Sequence, residues 1–249
     1  MSLGIRFVAA ILSVAIGVSQ ANAGQTSVAV AANFTDAAKE IAAAWEKKSG
    51  HKAVFSFGAT GGLFTQISQG APFEVFLAAD QATPKRAVEN GYAASGSQFT
   101  YAVGKLVLFG KGKDAVTGEQ TLKDGKFAKV ALANPSAAPY GSAAIETMKK
   151  LGVYEKLQPK IVQGQNITQT FQFVETGNAD VGFVALSQLA AGKDGSRWVV
   201  DQSLYTPIRQ DAVLLKKGEQ NAAAKDFIEF LKGPEARAVI EKYGYGAGM

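Results

Sequence analysis

The stretch Ser27-Val28-Ala29-Val30-Ala31-Ala32-Asn33-Phe34-Thr35-Asp36 decides the fold class of this chain. Its first half is a run of small and β-branched residues typical of a strand, and apolar residues recur at helical spacing from Phe34 to Lys48. A strand that runs straight into an amphipathic helix is the repeating unit of α/β proteins. The sequence therefore predicts helices layered on largely parallel sheets.

The same alternation of strand and helix recurs on the C-terminal side of this stretch. Further strands are predicted over residues 53–57, 75–77, 129–132, 160–162 and 181–184, and further helices over 141–151, 220–231 and 234–243. Two long extended runs, residues 101–109 and 205–215, interrupt the alternation. Additional strand–helix units are predicted between these two runs.

A chain that leaves one lobe through an extended crossing, builds a second lobe and returns through another crossing fits this pattern. We predict two α/β/α lobes joined by two extended crossings, with lobe I formed by residues 24–103 and 209–249 and lobe II by residues 104–208. In such proteins ligands bind in the cleft, at the carboxyl ends of the strands. One continuous doubly wound sheet is the alternative.

The composition of the chain excludes several classes of site. Its 249 residues contain no Cys, which excludes disulfides, thiol nucleophiles and Cys-ligated metals, and one His, which excludes multi-histidine metal sites. That histidine, His51, lies in the polar stretch 47–52, which is interpreted as a helix-to-strand turn, and we expect it to be an exposed structural residue. The net charge of +5 is dispersed and forms no nucleic-acid-binding stripe.

The first 23 residues have the form of an export signal. Arg6 precedes an apolar run over residues 7–18, and Ala21-Asn22-Ala23 has the small-x-small form of a signal-peptidase site. The apolar run is short for a membrane span, so we expect cleavage after Ala23 and export of the mature chain. An N-terminal membrane anchor or a buried helix is the alternative.

Four predicted strands end in a short loop of small or hydroxyl residues that leads into a helix. These loops are residues 31–36, 58–62, 134–142 and 164–168, two before the first crossing and two after it. A helix start presents unpaired backbone N–H groups at the positive end of the helix dipole, and Asn33 and Thr60 add side-chain donors. For any single loop, helix capping is a sufficient explanation; Asn33 with Asp36, for example, has the spacing of an N-cap and an acid at N3.

The four loops together favour an anion site and narrow the kind of anion. They contain no Lys or Arg, so a compact dianion held by neutral donors fits better than a large ligand that needs salt bridges. Hydrogen phosphate would need a buried acceptor for its proton, and the nearby acid, Asp36, is better explained as a cap partner. A fully deprotonated tetrahedral oxyanion is therefore expected.

At these residues the sequence resembles the periplasmic molybdate-binding proteins of ABC-type importers, across essentially the whole mature chain. The matching segments are residues 30–36, 57–63, 70–80, 122–127, 133–141, 181–184 and 230–236, of which 70–80 (Gly-Ala-Pro-Phe-Glu-Val-Phe-Leu-Ala-Ala-Asp) is the most specific. The resemblance implies the two-lobed type II periplasmic binding protein fold. It also implies a monomeric receptor, without catalytic residues, cofactor, bare metal ion or nucleic-acid partner, that passes molybdate or tungstate to a membrane permease.

Carried over by position, the resemblance implies a set of ligand residues. Asn33 and Thr60 are expected to bind the anion, Tyr140 and Ile167 to contribute chiefly backbone N–H groups, and Ala32 and Ala59 to add theirs. Some members of the family carry a Tyr donor where this chain has Ala185. Either Tyr140 or Asn33 then compensates for the missing phenol, or the affinity is lower.

Other functions remain open from the residues alone. One is a receptor for another oxyanion, such as sulfate, thiosulfate or phosphate. Another is a secreted hydrolase that relies on Asp36, Glu74 or Asp80, although helix capping is a sufficient role for Asp80. The last is an inert structural or adhesion protein.

Overall fold

Two mixed β-sheets organise the chain in the computed structural model, which describes residues 23–190 and 192–247. The strands are β1 (Gln25–Ala31), β2 (Lys52–Gly58), β3 (Val75–Leu77), β4 (Phe99–Gly104), β5 (Leu106–Gly110), β6 (Val130–Ala133), β7 (Ile161–Gly164), β8 (Val181–Ala185), β9 (Ser196–Val199), β10 (Ile208–Leu214) and β11 (Gly246–Ala247). The predicted export signal lies almost wholly outside the described residues.

The helices follow the strands closely, as the sequence pattern predicts. They are α1 (Thr35–Ser49), α2 (Thr60–Ser68), α3 (Ala82–Glu89), α4 (Gln120–Asp124), α5 (Pro139–Lys150), α6 (Tyr154–Leu157), α7 (Ile167–Glu175), α8 (Ala222–Lys232) and α9 (Pro234–Lys242). A short 3-10 turn, Ala32–Phe34, joins β1 to α1. No helix within the described part of the chain is long and apolar enough to cross a membrane.

The first sheet has the strand order β11-β4-β10-β3-β1-β2 and the second has the order β7-β6-β8-β5-β9. β1 pairs in parallel with β2 and β3, and β6 pairs in parallel with β7 and β8. The other pairings, which involve β4, β5, β9, β10 and β11, are antiparallel. The prediction of largely parallel sheets is therefore wrong outside these two parallel groups.

The crossings between the sheets explain the antiparallel pairings of β5 and β10. β4 and β5 are separated by Lys105 alone, so the chain steps directly from one sheet to the other, and it returns through β10. A strand that arrives from the cleft enters a sheet at the edge where the parallel strands end, and it must run opposite to them. β5 and β10 both arrive in this way. The exact lobe boundaries at 103/104 and 208/209 stay a prediction.

Each sheet is covered by helices on both faces, which gives two three-layer lobes. In the first lobe Trp45 of α1 and Phe227 of α8 pack on one face of the sheet, and Leu63 of α2 packs on the other. In the second lobe Met148 of α5 and Val174 of α7 cover opposite faces. Each buried side chain of this size contributes about 1.5–3 kcal/mol relative to an exposed one.

The second-lobe core continues across the cleft. Ala31, Ala32 and Ala79 of the first lobe belong to the same apolar cluster as Tyr140 and Ile167 of the second. The two lobes are thus in contact where their parallel strands end.

Candidate functional site

Four strand-to-helix junctions meet between the lobes and enclose a small cavity. The junctions follow β1, β2, β6 and β7, which are the strands that precede the four predicted loops. The cavity has a volume of about 10 Å³ and is lined by Ala31, Ala32, Asn33, Gly58, Ala59, Thr60, Ala79, Ala138, Pro139, Tyr140 and Ile167. The structure therefore brings all the predicted site residues together, and no charged side chain is among the lining residues.

Thr60 presents a hydroxyl group at the first residue of α2. Ala59, with extended backbone, is the N-cap residue, and no side chain caps this helix. Thr60 is buried, and its Oγ1 accepts a hydrogen bond of 3.0 Å from the N–H of Ala79. This bond uses the oxygen as acceptor and leaves the hydroxyl proton free to donate. Helix capping, the alternative explanation for each single loop, therefore does not account for Thr60.

Asn33 lies in the 3-10 turn and is only 4% exposed. Its amide nitrogen donates to Gln210 Oε1 at 2.8 Å and to Tyr245 Oη at 3.0 Å. α1 itself begins after Phe34 and has no side-chain cap bond. The alternative interpretation of Asn33 as the N-cap of this helix is therefore wrong, because its side chain bonds to Gln210 of β10 and to Tyr245, just before β11, and not to the helix.

Tyr140 supplies the first free backbone N–H at the start of α5. Pro139, the first residue of that helix, has no N–H, and the N–H groups of Gly141 and Ser142 both donate to Ala138. Gly141 also allows α5 to approach β6 closely, because a Cβ there would overlap the carbonyl group of Ala133. The lack of a side chain thus places the N–H of Tyr140 at the cavity.

Ile167 is the first residue of α7. The preceding residue, Asn166, is the N-cap, and its side chain accepts a hydrogen bond of 3.0 Å from the N–H of Gln169. The N–H of a helix's first residue has no partner within the helix. Ile167 therefore offers its main-chain donor to the cavity, and its buried side chain packs in the second-lobe core.

Helix dipoles supply the positive potential of this site. α2, α5 and α7 all start at the cavity, and each helix start is equivalent to about half a positive charge. Unpaired N–H groups at several helix starts form an anion site that needs no cation. The arrangement can therefore hold a small anion with neutral donors.

Sequence reasoning missed a cluster of buried polar side chains behind the cavity. Gln210 of β10, which is 0% exposed, contacts Asn33, Tyr101 and Tyr140. Burial raises the pKa of Tyr101, Tyr140 and Tyr245 above the usual tyrosine value, so these phenols are protonated at neutral pH. The sequence does mark Gln210, because it is the polar residue on the inward face of β10, which is otherwise apolar.

The acids and the histidine that an enzyme would need are dispersed. Glu74 precedes β3, at the opposite edge of the first sheet, and accepts from Ser27 N–H and Asn221 Nδ2. Asp80 accepts two hydrogen bonds from Thr83 at the start of α3, as capping predicts, and Asp36 lies on α1 outside the cavity lining.

His51 also lies at the edge opposite the cavity, just before β2. It is half-buried and not exposed as expected, because its Nδ1 accepts a hydrogen bond of 2.8 Å from the N–H of Gly24 and its ring packs beside Trp45.

Ala185, the position where some molybdate-binding proteins have a Tyr, is buried at the end of β8 and does not line the cavity. The hydroxyl of Tyr140, one of the two expected compensating groups, accepts a hydrogen bond of 3.2 Å from Gln210 Nε2. The other, the amide of Asn33, is also bonded to Gln210. If Tyr140 or Asn33 compensates for the tyrosine hydroxyl that is missing at Ala185, Gln210 is involved, because it is bonded to both.

Comparison with known proteins gives consistent relatives. A family model described as bacterial extracellular solute-binding protein matches residues 26–246. The chain is 56% identical over 225 residues to the molybdate-binding protein ModA of Rhodobacter capsulatus, which covers 90% of this chain and 89% of that protein. It is 52% identical over 231 residues to the ModA of Azotobacter vinelandii, with 91% of each covered.

A solved structure, the periplasmic molybdate-binding protein of Azotobacter vinelandii, superposes on this chain with a TM-score of 0.87. The two are 37% identical, and the match covers 90% of this chain and 100% of that one.

Proposed function

Because this chain belongs to the family of bacterial extracellular solute-binding proteins, we propose that it captures molybdate, and tungstate with it, between its lobes. It delivers the anion to the membrane permease of an ABC importer. Two relatives that are more than half identical to it carry the name molybdate-binding protein. The predicted ligand residues are Asn33, Thr60, Tyr140 and Ile167, with Ala32 and Ala59.

The observation that carries this proposal is the cavity at which four strand-to-helix junctions meet. Its donors are the Thr60 hydroxyl and the main-chain N–H groups at helix starts. A dianion inside gains hydrogen bonds and favourable helix dipoles and displaces no charged side chain. Neutral donors also avoid the desolvation that a buried cation would require.

The lining residues also support the choice among oxyanions. Hydrogen phosphate needs an acceptor for its proton, and no carboxylate lines the cavity, which favours a fully deprotonated anion. Sulfate has the same charge as molybdate but is smaller. Donors fixed on packed helices do not contract around a smaller tetrahedron, so we expect selection by size. Tungstate, nearly the size of molybdate, binds comparably.

Isothermal titration of the mature protein with molybdate, tungstate, sulfate and phosphate tests this proposal. We expect heat with the first two anions and none with the last two at the same concentrations. Thr60→Ala and Asn33→Ala are expected to weaken molybdate binding, because each removes a polar group of the cavity.

Two matched controls guard against general effects of substitution. Thr65→Ala changes an exposed threonine of the same helix as Thr60, and Asn178→Ala changes an exposed asparagine. Neither control should alter affinity. If the protein binds sulfate or phosphate but not molybdate, the ligand assignment is wrong. If both site variants bind molybdate normally, the anion binds somewhere other than the predicted site.

Export and transport are further parts of this proposal. Mass spectrometry of the protein purified from the periplasm should give a chain that begins at Gly24. A strain that lacks the gene should lose molybdate uptake at low molybdate concentration and regain it with the wild-type gene. A chain that retains residues 1–23, or a strain with unchanged uptake, would contradict this part of the proposal.

A further inference from the structure

A cluster of five buried polar side chains lies directly behind the cavity. It consists of Asn33, Tyr101, Tyr140, Gln210 and Tyr245, each no more than 5% exposed, and we call it the amide–tyrosine cluster. Only Asn33 and Tyr140 also line the cavity. Gln210 contacts three of the other four members and is the centre of the cluster.

In the structure Asn33 uses both of its amide hydrogens away from the cavity. One is donated to Gln210 Oε1 at 2.8 Å and the other to Tyr245 Oη at 3.0 Å. Among the described residues, no donor reaches Asn33 Oδ1. A primary amide has two hydrogens, so in this arrangement Asn33 has only an acceptor left to offer. An acceptor oxygen repels an oxyanion.

A second orientation of the Asn33 and Gln210 side-chain amides is compatible with the same heavy-atom positions. If the two amide groups exchange oxygen and nitrogen together, Gln210 Nε2 donates to Asn33 Oδ1, and Gln210 Oε1 accepts from the hydroxyl of Tyr140. The 2.8 Å and 3.2 Å separations serve equally well for these bonds. Asn33 Nδ2 is then unpartnered within the cluster and can donate to an anion.

The tyrosines accommodate both arrangements because a phenol donates or accepts. Tyr101 Oη lies 3.0 Å from the carbonyl oxygen of Ala78, to which it donates when Gln210 presents nitrogen. Tyr245 Oη donates to the Asn33 carbonyl oxygen at 2.7 Å and can turn its hydrogen to Asn33 Oδ1 instead, because Ser187 Oγ also donates to that carbonyl. The exchange costs Tyr245 its bond to the Asn33 carbonyl, and every member of the cluster keeps at least one partner.

The surrounding backbone limits Gln210 to this exchange. A Cβ on Gly104, at the crossing from β4 to β5, would overlap both the Tyr140 hydroxyl and the Gln210 amide. These groups thus fill the space that Gly104 leaves. A side chain so enclosed can turn its amide about its last bond but cannot move elsewhere.

We propose that Gln210 is a positioning residue for anion binding: its paired exchange with the Asn33 amide turns an Asn33 donor toward the anion. Gln210 itself does not touch the anion. This inference rests on the proposed function, since it specifies how one predicted ligand residue becomes a donor.

A double-mutant cycle of Gln210→Met and Asn33→Ala tests the proposal by molybdate titration. Gln210→Met should weaken binding about tenfold in the wild-type background, the value of roughly one hydrogen bond to a charged group. In the Asn33→Ala background it should change affinity less than twofold, because the donor it positions is already gone. Gln163→Met, at an exposed strand position, is the control and should have no effect.

Equal weakening in both backgrounds would mean that Gln210 has only a structural role, and it would overturn the proposal. If wild-type protein fails to bind molybdate, the proposed function fails first and this inference fails with it. The two failures are thus distinguishable.

NMR of the wild-type protein provides a second measurement that needs no folded variant. The side-chain amide signals of Asn33 and Gln210 should shift together on molybdate addition, since both amides change partners. A shift of the Asn33 signals with unchanged Gln210 signals would contradict the paired exchange.

Discussion

The two edges of the first sheet differ in chemistry although the same three parallel strands form both. At the carboxyl ends of β1, β2 and β3, the residues are small or neutral and surround the cavity. At the amino ends lie Glu74, His51 and Lys52, and their partners are side chains and backbone groups of the same lobe. The residues that line the cavity are thus uncharged, whereas charged residues stand at the amino ends of the same strands.

This difference teaches what each edge contributes. The cavity edge faces the other lobe and uses helix starts as donors, so its residues are expected to determine affinity. The amino edge holds α8 and the segment around Gly24 onto the sheet, so its residues are expected to determine stability. Substitutions at the two edges should therefore separate binding from folding.

The largest expected effect comes from removing a main-chain donor at the cavity. Ile167→Pro removes the N–H at the first position of α7, where proline is compatible with the helix, and the preceding Asn166 is extended as proline requires. We expect molybdate affinity to fall about 10- to 100-fold, the value of one hydrogen bond to a charged group, measured by isothermal titration.

Ile167→Ala is the matched control, because it removes the side chain and keeps the N–H. It should lower stability with little change in affinity. If both variants lose affinity equally, the side chain of Ile167 matters and its main chain does not.

An intermediate effect is expected at the opposite edge. Glu74→Ala leaves the N–H of Ser27 without its acceptor and removes one of the two acceptors of Asn221 Nδ2, on the N-cap residue of α8. The free energy of unfolding should fall by about 1–3 kcal/mol in a denaturant titration, with affinity for molybdate unchanged. Glu89→Ala, an exposed position, should change neither quantity. A loss of affinity in Glu74→Ala would break the separation between the edges.

The smallest effect is expected at Thr26, near the start of β1. Its hydroxyl oxygen is the one side-chain polar atom in residues 23–190 and 192–247 that is completely buried and has no hydrogen-bond partner. Thr26→Val keeps the shape and removes this unpaired group, so stability should rise by about 1 kcal/mol at unchanged affinity. Thr65→Val on the exposed face of α2 is the control. Destabilisation by Thr26→Val would show that the hydroxyl has a partner after all.

Much of the fold could be predicted from local sequence. The strand at 75–77 was predicted at its observed bounds, and the first strand and its helix were predicted to within two residues. β9 and β11 were not predicted. Neither is marked by apolar alternation, because β9 is a four-residue edge strand that contains an arginine and β11 has only two residues. Their strand conformation depends on pairing with β5 and β4.

The candidate site also has residues that local sequence predicts and residues that it does not. Thr60 and Ile167 could be found because a helix start after a strand has a recognisable local pattern. Gln210 and Tyr245 are 177 and 212 residues from Asn33 along the chain, and no local pattern relates them.

The sequence by itself determined the strand–helix units, the two lobes and the loops that carry unpaired N–H groups, because these depend on periodicity and on residues close together in the chain. Only the tertiary structure decided that the loops meet at one cavity, that the crossing strands run antiparallel, and that the Asn33 side chain bonds to Gln210. Those features depend on how the two sheets approach each other, and residues far apart in the chain become neighbours only when the cores of both lobes are packed.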